Sequence, residues 1–345
     1  MSFFQLHRWL LLFFAALTWL SIPPAQTGAA DKQDTVVVYT AMDQFISEPV
    51  LKDFETQSGI RVKAVYDVEA TKTTGLVNRL IAEKDRPKCD VFWNNEVLKS
   101  IMLKQKGFFQ PYASPNAADI PDKFKDKQGC WTGFAARARV LVINTQAAQG
   151  LLVPASINDL VELRFKDKVA IANPLFGTTA THVAALFSVW GEEQARNYFL
   201  ALKANGARIV DGNSVVKDRV GAGDFVVGFT DTDDVNVGIE AGLPIRALYP
   251  DKSGLGTLLI PNTVGLVACC PHPEAGKKLI DYLLSKAVES KLAFCPSVQM
   301  PLRKDVAVPK GFVSIDQIAT MDLDYEKVAR MMEPSMRFVQ ETFIR

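Results

Sequence analysis

Val226-Val-Gly-Phe-Thr-Asp-Thr-Asp-Asp-Val235 is the stretch that decides the fold, an apolar run that breaks into the carboxylates Asp231, Asp233 and Asp234. A β-branched run of this kind reads as a buried strand, and polar groups at the carboxyl end of such a strand lie where α/β sheets open their ligand crevice. Three close negative charges repel one another. They are expected to persist together only where water, a metal ion or an organic cation screens them.

Upstream of that strand the same alternation is repeated. Val169 to Ala172 and Ala207 to Val210 read as strands, with helices opening after Phe176-Gly177 and after Gly212-Asn213-Ser214. Gly177-Thr178-Thr179-Ala180-Thr181 puts hydroxyl residues at a helix start, where unpaired N–H groups and the positive end of the helix dipole suit phosphate, phosphonate or carboxylate. Asn213 and Ser214 give a second such edge. Ordinary helix capping uses the same residue types.

The amino-terminal half carries a first series. Val36–Tyr39, Ile60–Tyr66 and Asp90–Trp93 read as strands. Between and after them, helices are expected from Ser47-Glu48-Pro49 to Gly59, over Thr74 to Lys84, and from Glu96 to Gly107. Three such alternations predict an open sheet with parallel strands and crossover helices. Polar residues gather at the strand exits: Thr40, Asp43 and Gln44, then Asp67 and Glu69, then Asn94, Asn95 and Glu96. They are expected to form one wall of a crevice. Trp93, Trp131 and Trp190 read as core residues, although Trp93, at one of those exits, could stack on a ligand.

Gly133 to Thr145 joins the two series and reads as a strand on which Arg137 and Arg139, two apart, point the same way. Thr257 to Val267 is a second long extended segment, so the two are expected to form paired hinge strands. Pro273 to Ser285 and Met321 to Arg345 read as helices packing back on the first lobe.

Residues 1 to 30 have the layout of an export signal: Arg8, the apolar run Trp9 to Ile22, and small residues for cleavage near Ala30. That run is shorter than the roughly 20 residues a membrane span needs. The remaining 315 residues carry 38 basic and 38 acidic side chains. Such neutrality gives no electrostatic footprint for nucleic acid. Two lobes suit this length, since single cores rarely grow beyond about 250 to 300 residues. Cys89, Cys130, Cys269, Cys270 and Cys295 leave one or two bridges or buried free thiols open, and show no zinc spacing.

Taken together, the strand ending Tyr39-Thr40, Asp90-Val-Phe-Trp93, Arg137-Ala-Arg139-Val before Asn144-Thr145, the Gly177-Thr178-Thr179 helix start and Asn213-Ser214-Val215 resemble the exported solute-binding proteins of ATP-driven bacterial importers. The group concerned contains the ferric-iron-binding proteins and their spermidine, thiamine, phosphonate and sugar-phosphate relatives. The likeness runs from Val36 to about Arg303.

It implies an α/β, type II periplasmic-binding-protein fold of two lobes, each a mixed sheet flanked by helices. The first lobe would take residues 31–140, the second 141–260, and 261–345 would return to the first. It also implies a monomer in the periplasm that clamps a small solute and passes it to a membrane permease and its ATPase, with no enzyme activity and no cofactor beyond a ferric ion as cargo. By position, Thr178, Thr179 and Asn213 match the anion-contacting turn, and Gln44, Asn95 and Glu96 the first-lobe ligands. Thr40, Arg137, Gly177, Asp231, Asp233 and Asp234 complete the candidate set.

Where ferric-binding members carry two neighbouring tyrosines, this chain has Asp233-Asp234, and Asp231 replaces an asparagine. Carboxylates are hard ligands, so Asp231, Asp233 and Glu96 would hold a cation, or the acids would pair with an ammonium group on a zwitterionic phosphonate. The rival reading is a phosphatase-like hydrolase, with Asp231 attacking phosphorus and Asp233 as acid/base. His182 is expected as a surface imidazole.

Overall fold

The computed structural model describes residues 34–68 and 73–344. The expected export signal and its cleavage near Ala30 lie outside the described residues, as does Glu69. No helix among those described is long and apolar enough to cross a membrane.

The first half forms β1 (Thr35–Thr40), α1 (Gln44–Ser58), β2 (Arg61–Tyr66), α2 (Thr74–Ala82), β3 (Val91–Asn94), α3 (Leu98–Gln105) and the short β4 (Phe109–Gln110). β1 pairs in parallel with β2 and β3, as alternation predicts. One boundary differs. α1 begins five residues before Pro49, which therefore sits inside the helix. The Asp43 carbonyl accepts from the N–H groups of Ile46 and Ser47 and from the Ser47 hydroxyl, so this end nucleates ahead of the proline.

β5 (Thr132–Asn144) then carries the chain across the molecule. Its residues up to Ala138 pair antiparallel with β10 (Leu259–Val267), and from Arg139 onward it pairs with β8 (Val227–Asp231) and β9 (Ile245–Leu248). Strand order across the whole sheet is β2-β1-β3-β10-β5-β8-β6-β7, with β6 (Val169–Ala172) and β7 (Arg208–Val210) parallel to β8's side. Ala135 takes a positive φ of 44°, and the register opposite it shifts between Pro261 and Asn262. That bulge bends both strands where one set of partners gives way to the other.

Helices α4 (Gly177–Trp190), α5 (Glu192–Ala204), α6 (Asn213–Gly221) and α7 (Thr232–Glu240) surround the second set of strands. After β10 come α8 (Pro273–Leu283), α9 (Lys286–Ala293), α10 (Tyr325–Arg330) and α11 (Met332–Val339). α8 lays Leu279, Ile280 and Leu283 on the first sheet, as its spacing predicts.

The last two helices depart from the expected packing. α10 contacts α3, but α11 packs on α4, with Phe338 against Phe187 at 5.7 Å and Phe199 at 6.4 Å between ring centroids. An amphipathic pattern fixes which face is buried and leaves the partner open. Trp93 is a core residue, fully buried and packed on Phe134 at 5.6 Å, and the alternative of stacking on a ligand falls. The five cysteines are free thiols, with only Cys269 exposed.

Candidate functional site

The carboxyl end of β8 opens on a small polar cavity of about 40 Å³. β8 supplies Asp231, which is also the residue capping the start of α7, so Asp233 and Asp234 fall in that helix's first turn. Carboxylates there are stabilised by the amino-terminal end of the helix dipole.

Two buried arginines from β5 answer the repulsion expected among the acids. Arg139 Nη1 donates to Asp231 Oδ1 at 2.7 Å, to Asn213 Oδ1 at 3.1 Å and to Thr178 Oγ1 at 3.2 Å, while Nη2 donates to Thr179 Oγ1 at 3.2 Å. The Thr178 hydroxyl and Asn213 Nδ2 donate to Asp231 Oδ2 at 2.5 and 2.9 Å. Arg139, wholly buried, is thus the hub that joins β5, β8 and the starts of α4 and α6.

Arg137 Nε lies 3.1 Å from Asp233 Oδ2, an ion-pair distance without hydrogen-bond alignment. Its Nη2 donates to Asn262 Oδ1 at 2.8 Å, and Gln299 Nε2 donates to Asp233 Oδ2 at 3.1 Å. Burial raises the Asp233 carboxyl above the usual range; Arg137 pulls it down, while Asp231 and Asp43 push it up. Arg137 and Arg139 thus set protein cations against Asp233 and Asp231, beside the water, metal ion or organic cation expected there.

Of the candidate residues, Asn95, Arg137, Gly177, Thr178, Thr179, Asn213, Asp231, Asp233 and Asp234 line the cavity. Three others do not. Thr40 is buried and its Oγ1 accepts from the Met42 N–H at 3.1 Å. Gln44 is exposed and donates to Glu48.

Glu96 caps α3, accepting from the N–H groups of Leu98 at 2.7 Å and Lys99 at 2.8 Å, and from the Thr181 hydroxyl at 3.1 Å. It lies outside the acid group formed by Asp231, Asp233 and Asp234, whose oxygens come within 4.8 Å of one another. Its proposed place as a metal ligand is thus taken by helix capping, because a strand exit that turns directly into a helix needs an acceptor there.

Asp43, Ala172, Asn173, Phe176, Asp211 and Gly212 complete the wall. Asp43 had its signal at the first strand exit. Arg139 was visible as a partner to Arg137, but its acceptors lie 39 to 92 positions away.

His182 is corrected too. It is buried on α4, edge-on to Phe229 at 4.6 Å, and neither ring nitrogen has a hydrogen-bond partner. Burial, with the Arg139 cation beside it, holds its pKa well below the usual value. It is a neutral ring in the core.

α4, α6 and α7 all begin at this cavity; the preceding residues Phe176, Gly212 and Asp231 make no side-chain cap hydrogen bond, while in α7 the Asp234 N–H donates to Asp233 Oδ1 at 3.1 Å. Gly177 opens α4 with a φ of 55° and free space where a Cβ would project. Only glycine takes that conformation without strain. Both oxygens of Asp231 accept hydrogen bonds, Oδ1 from Arg139 and Oδ2 from Thr178 and Asn213.

Comparison with known proteins agrees. The chain is 22% identical over 323 residues to the iron uptake protein A1 of Synechocystis, covering 90% of this chain and 87% of that one. It is 25% identical over 235 residues to a putative 2-aminoethylphosphonate-binding periplasmic protein of Salmonella typhi, 67% of each chain. The periplasmic binding protein AfuA from Actinobacillus pleuropneumoniae, solved with fructose-6-phosphate, shares the fold at a TM-score of 0.81 and 20% identity, covering 90% of this chain and 99% of that one. These are binding proteins and not enzymes, so the phosphatase-like reading of Asp231 and Asp233 falls. Residues 87–325 match the bacterial extracellular solute-binding protein family, and the chain belongs to it.

Proposed function

We propose that the protein is the exported substrate-binding component of an ABC importer, and that its solute is a small zwitterion with a phosphonate-like anion and an ammonium group. One observation carries this reading: the starts of α4 and α6, which receive no side-chain cap from the residue preceding each, and five carboxylates, Asp43, Asp211, Asp231, Asp233 and Asp234, meet at one cavity. Helix starts α4 and α6 offer N–H groups to the anion. The carboxylates opposite these helix starts offer acceptors for an ammonium group. The aminoethylphosphonate named for the Salmonella relative has this charge pattern.

A second reading, ferric iron held with a partner anion, rests on the spacing of the three acid oxygens and on the iron-named Synechocystis relative. A ferric ion there would share these carboxylates with their internal donors: Arg139, Thr178 and Asn213 on Asp231, the Asp234 N–H and Gln299 on Asp233, and Thr230 on Asp234.

Two lobes, 31–140 with 261–345 and 141–260, would close over the solute by bending at the Ala135 bulge of β5 and β10. The Thr181–Glu96 hydrogen bond, which joins α4 to the start of α3, supports a closed arrangement. The partners would be a membrane permease and its ATPase, the site of action the periplasm, and the protein a monomer.

Thermal unfolding of the purified protein with 2-aminoethylphosphonate or ferric citrate tests the choice. A true ligand at 100 times its dissociation constant stabilises by about 2.7 kcal/mol. The aminophosphonate is expected to do so, and Asp233→Ala to abolish the effect. Stabilisation by ferric citrate alone would establish the second reading. An unchanged response of the Asp233→Ala protein would refute the site.

A further inference from the structure

Behind Phe176, which forms a wall of the solute cavity, lies a second cavity of about 830 Å³ between α2, α3, the Leu175–Phe176 turn and the α10–α11 pair. Its volume suits an organic ligand of moderate size. Two polar groups face it without partners. Lys99 on α3 lines it at 8% exposure, and among the described residues its ammonium group makes no ion pair or hydrogen bond. Glu96 acts on it only at longer range, and burial holds its pKa below the usual value. Thr74 Oγ1, at the start of α2, is buried, lines the same cavity and has no hydrogen-bond partner.

Most of the remaining wall is apolar. Met102, Leu175, Met332 and Met336 line it, with Lys106 and Arg330 adding positive charge and Arg337 paired with the single acid Glu333 at 3.1 Å. Unbranched methionines adapt to flexible chains. The desolvated Lys99 ammonium group supplies the charge partner for one carboxylate.

We propose that this cavity is a second ligand site, taking an amphipathic monocarboxylate. The carboxylate accepts from Lys99 and Thr74, and the hydrocarbon chain lies along the methionine wall. Nothing in this assignment depends on which solute occupies the cavity at β8.

Calorimetric titration of the purified protein with sodium octanoate, below its micellar concentration, tests it, with 1-octanol and octylammonium as probes of equal chain length. Octanoate is expected to bind one to one, and the other two more weakly by about tenfold or more, the loss of one charge-assisted hydrogen bond. Lys99→Met removes the ammonium group while keeping an unbranched chain and should weaken octanoate by the same factor. Met336→Glu, on the facing wall, should do likewise without touching α3; circular dichroism shows whether each variant is folded. Octanoate binding as tight in folded Lys99→Met as in the parent overturns the proposal. So does octanol binding as well as octanoate, or uptake that does not saturate at one equivalent.

Discussion

Arg139 shows what a single buried charge demands of its surroundings. It spends both terminal nitrogens on Asp231, Asn213, Thr178 and Thr179, and its guanidinium lies over the Phe229 ring at 4.6 Å. Truncating one partner of such a pair leaves the other charge unpaired in low dielectric, which costs about 3 to 5 kcal/mol. Arg139→Met should lose stability on that scale in urea unfolding. Adding Asp231→Asn should recover part of it, because the stranded carboxylate is then neutral.

His182, two turns along the same neighbourhood, makes a prediction of opposite character. Its folded pKa lies below the unfolded value of about 6.5. Above that pH the ring is neutral in both states and contributes no pH dependence. Below it the unfolded chain binds a proton that the folded one refuses, so stability falls with pH by at most about 1.4 kcal/mol per unit. His182→Phe should flatten the difference between unfolding curves at pH 7 and pH 5. Parallel pH profiles for parent and variant would count against burial of a neutral ring.

At the scale of elements, the site depends on how closely α6 approaches the sheet. Gly228 on β8 makes room for it: an added Cβ would meet Val216 Cγ1 and come within 2.9 Å of Val220 Cγ2 and 3.0 Å of Val142 Cγ1. Val216 and Val220 belong to α6, whose first residue is Asn213. A methyl group at 228 therefore lifts the helix that delivers Asn213 to Asp231 and Arg139. Gly228→Ala is expected to cost about 1 to 3 kcal/mol by overpacking and to weaken solute binding as well, measured by unfolding and by titration of the same preparation. A stability loss with unchanged affinity would separate α6 from the site.

For the whole molecule, the connections between the two sets of strands decide how it moves. β5 and β10 provide two. Gln299 adds a third, reaching from the returning chain to Asp233, beside the Asn236 side chain that donates to the Ser297 carbonyl at 3.1 Å. α11 is a fourth, since Phe338 packs between Phe187 and Phe199 under the Arg196 guanidinium. Phe338→Ala removes a buried ring and should cost about 3 to 5 kcal/mol. If α11 were only loosely applied to α4, the unfolding midpoint would barely shift.

The sequence by itself determined the alternation of strands and helices, the face that α8 buries, and the gathering of acids and helix starts at the end of one strand. Those follow from local periodicity and turn chemistry, which a linear chain displays directly. Only the tertiary structure decided that Arg137 and Arg139 are the counterions of Asp233 and Asp231, that Glu96 caps a helix, that His182 is buried, and that α11 lies on α4. Each is a contact between residues far apart in the chain. A carboxylate at a helix start has the same letters around it whether it caps, binds a guest or meets an arginine, and the electrostatic partner that tells these apart arrives only when the sheet brings distant strands side by side.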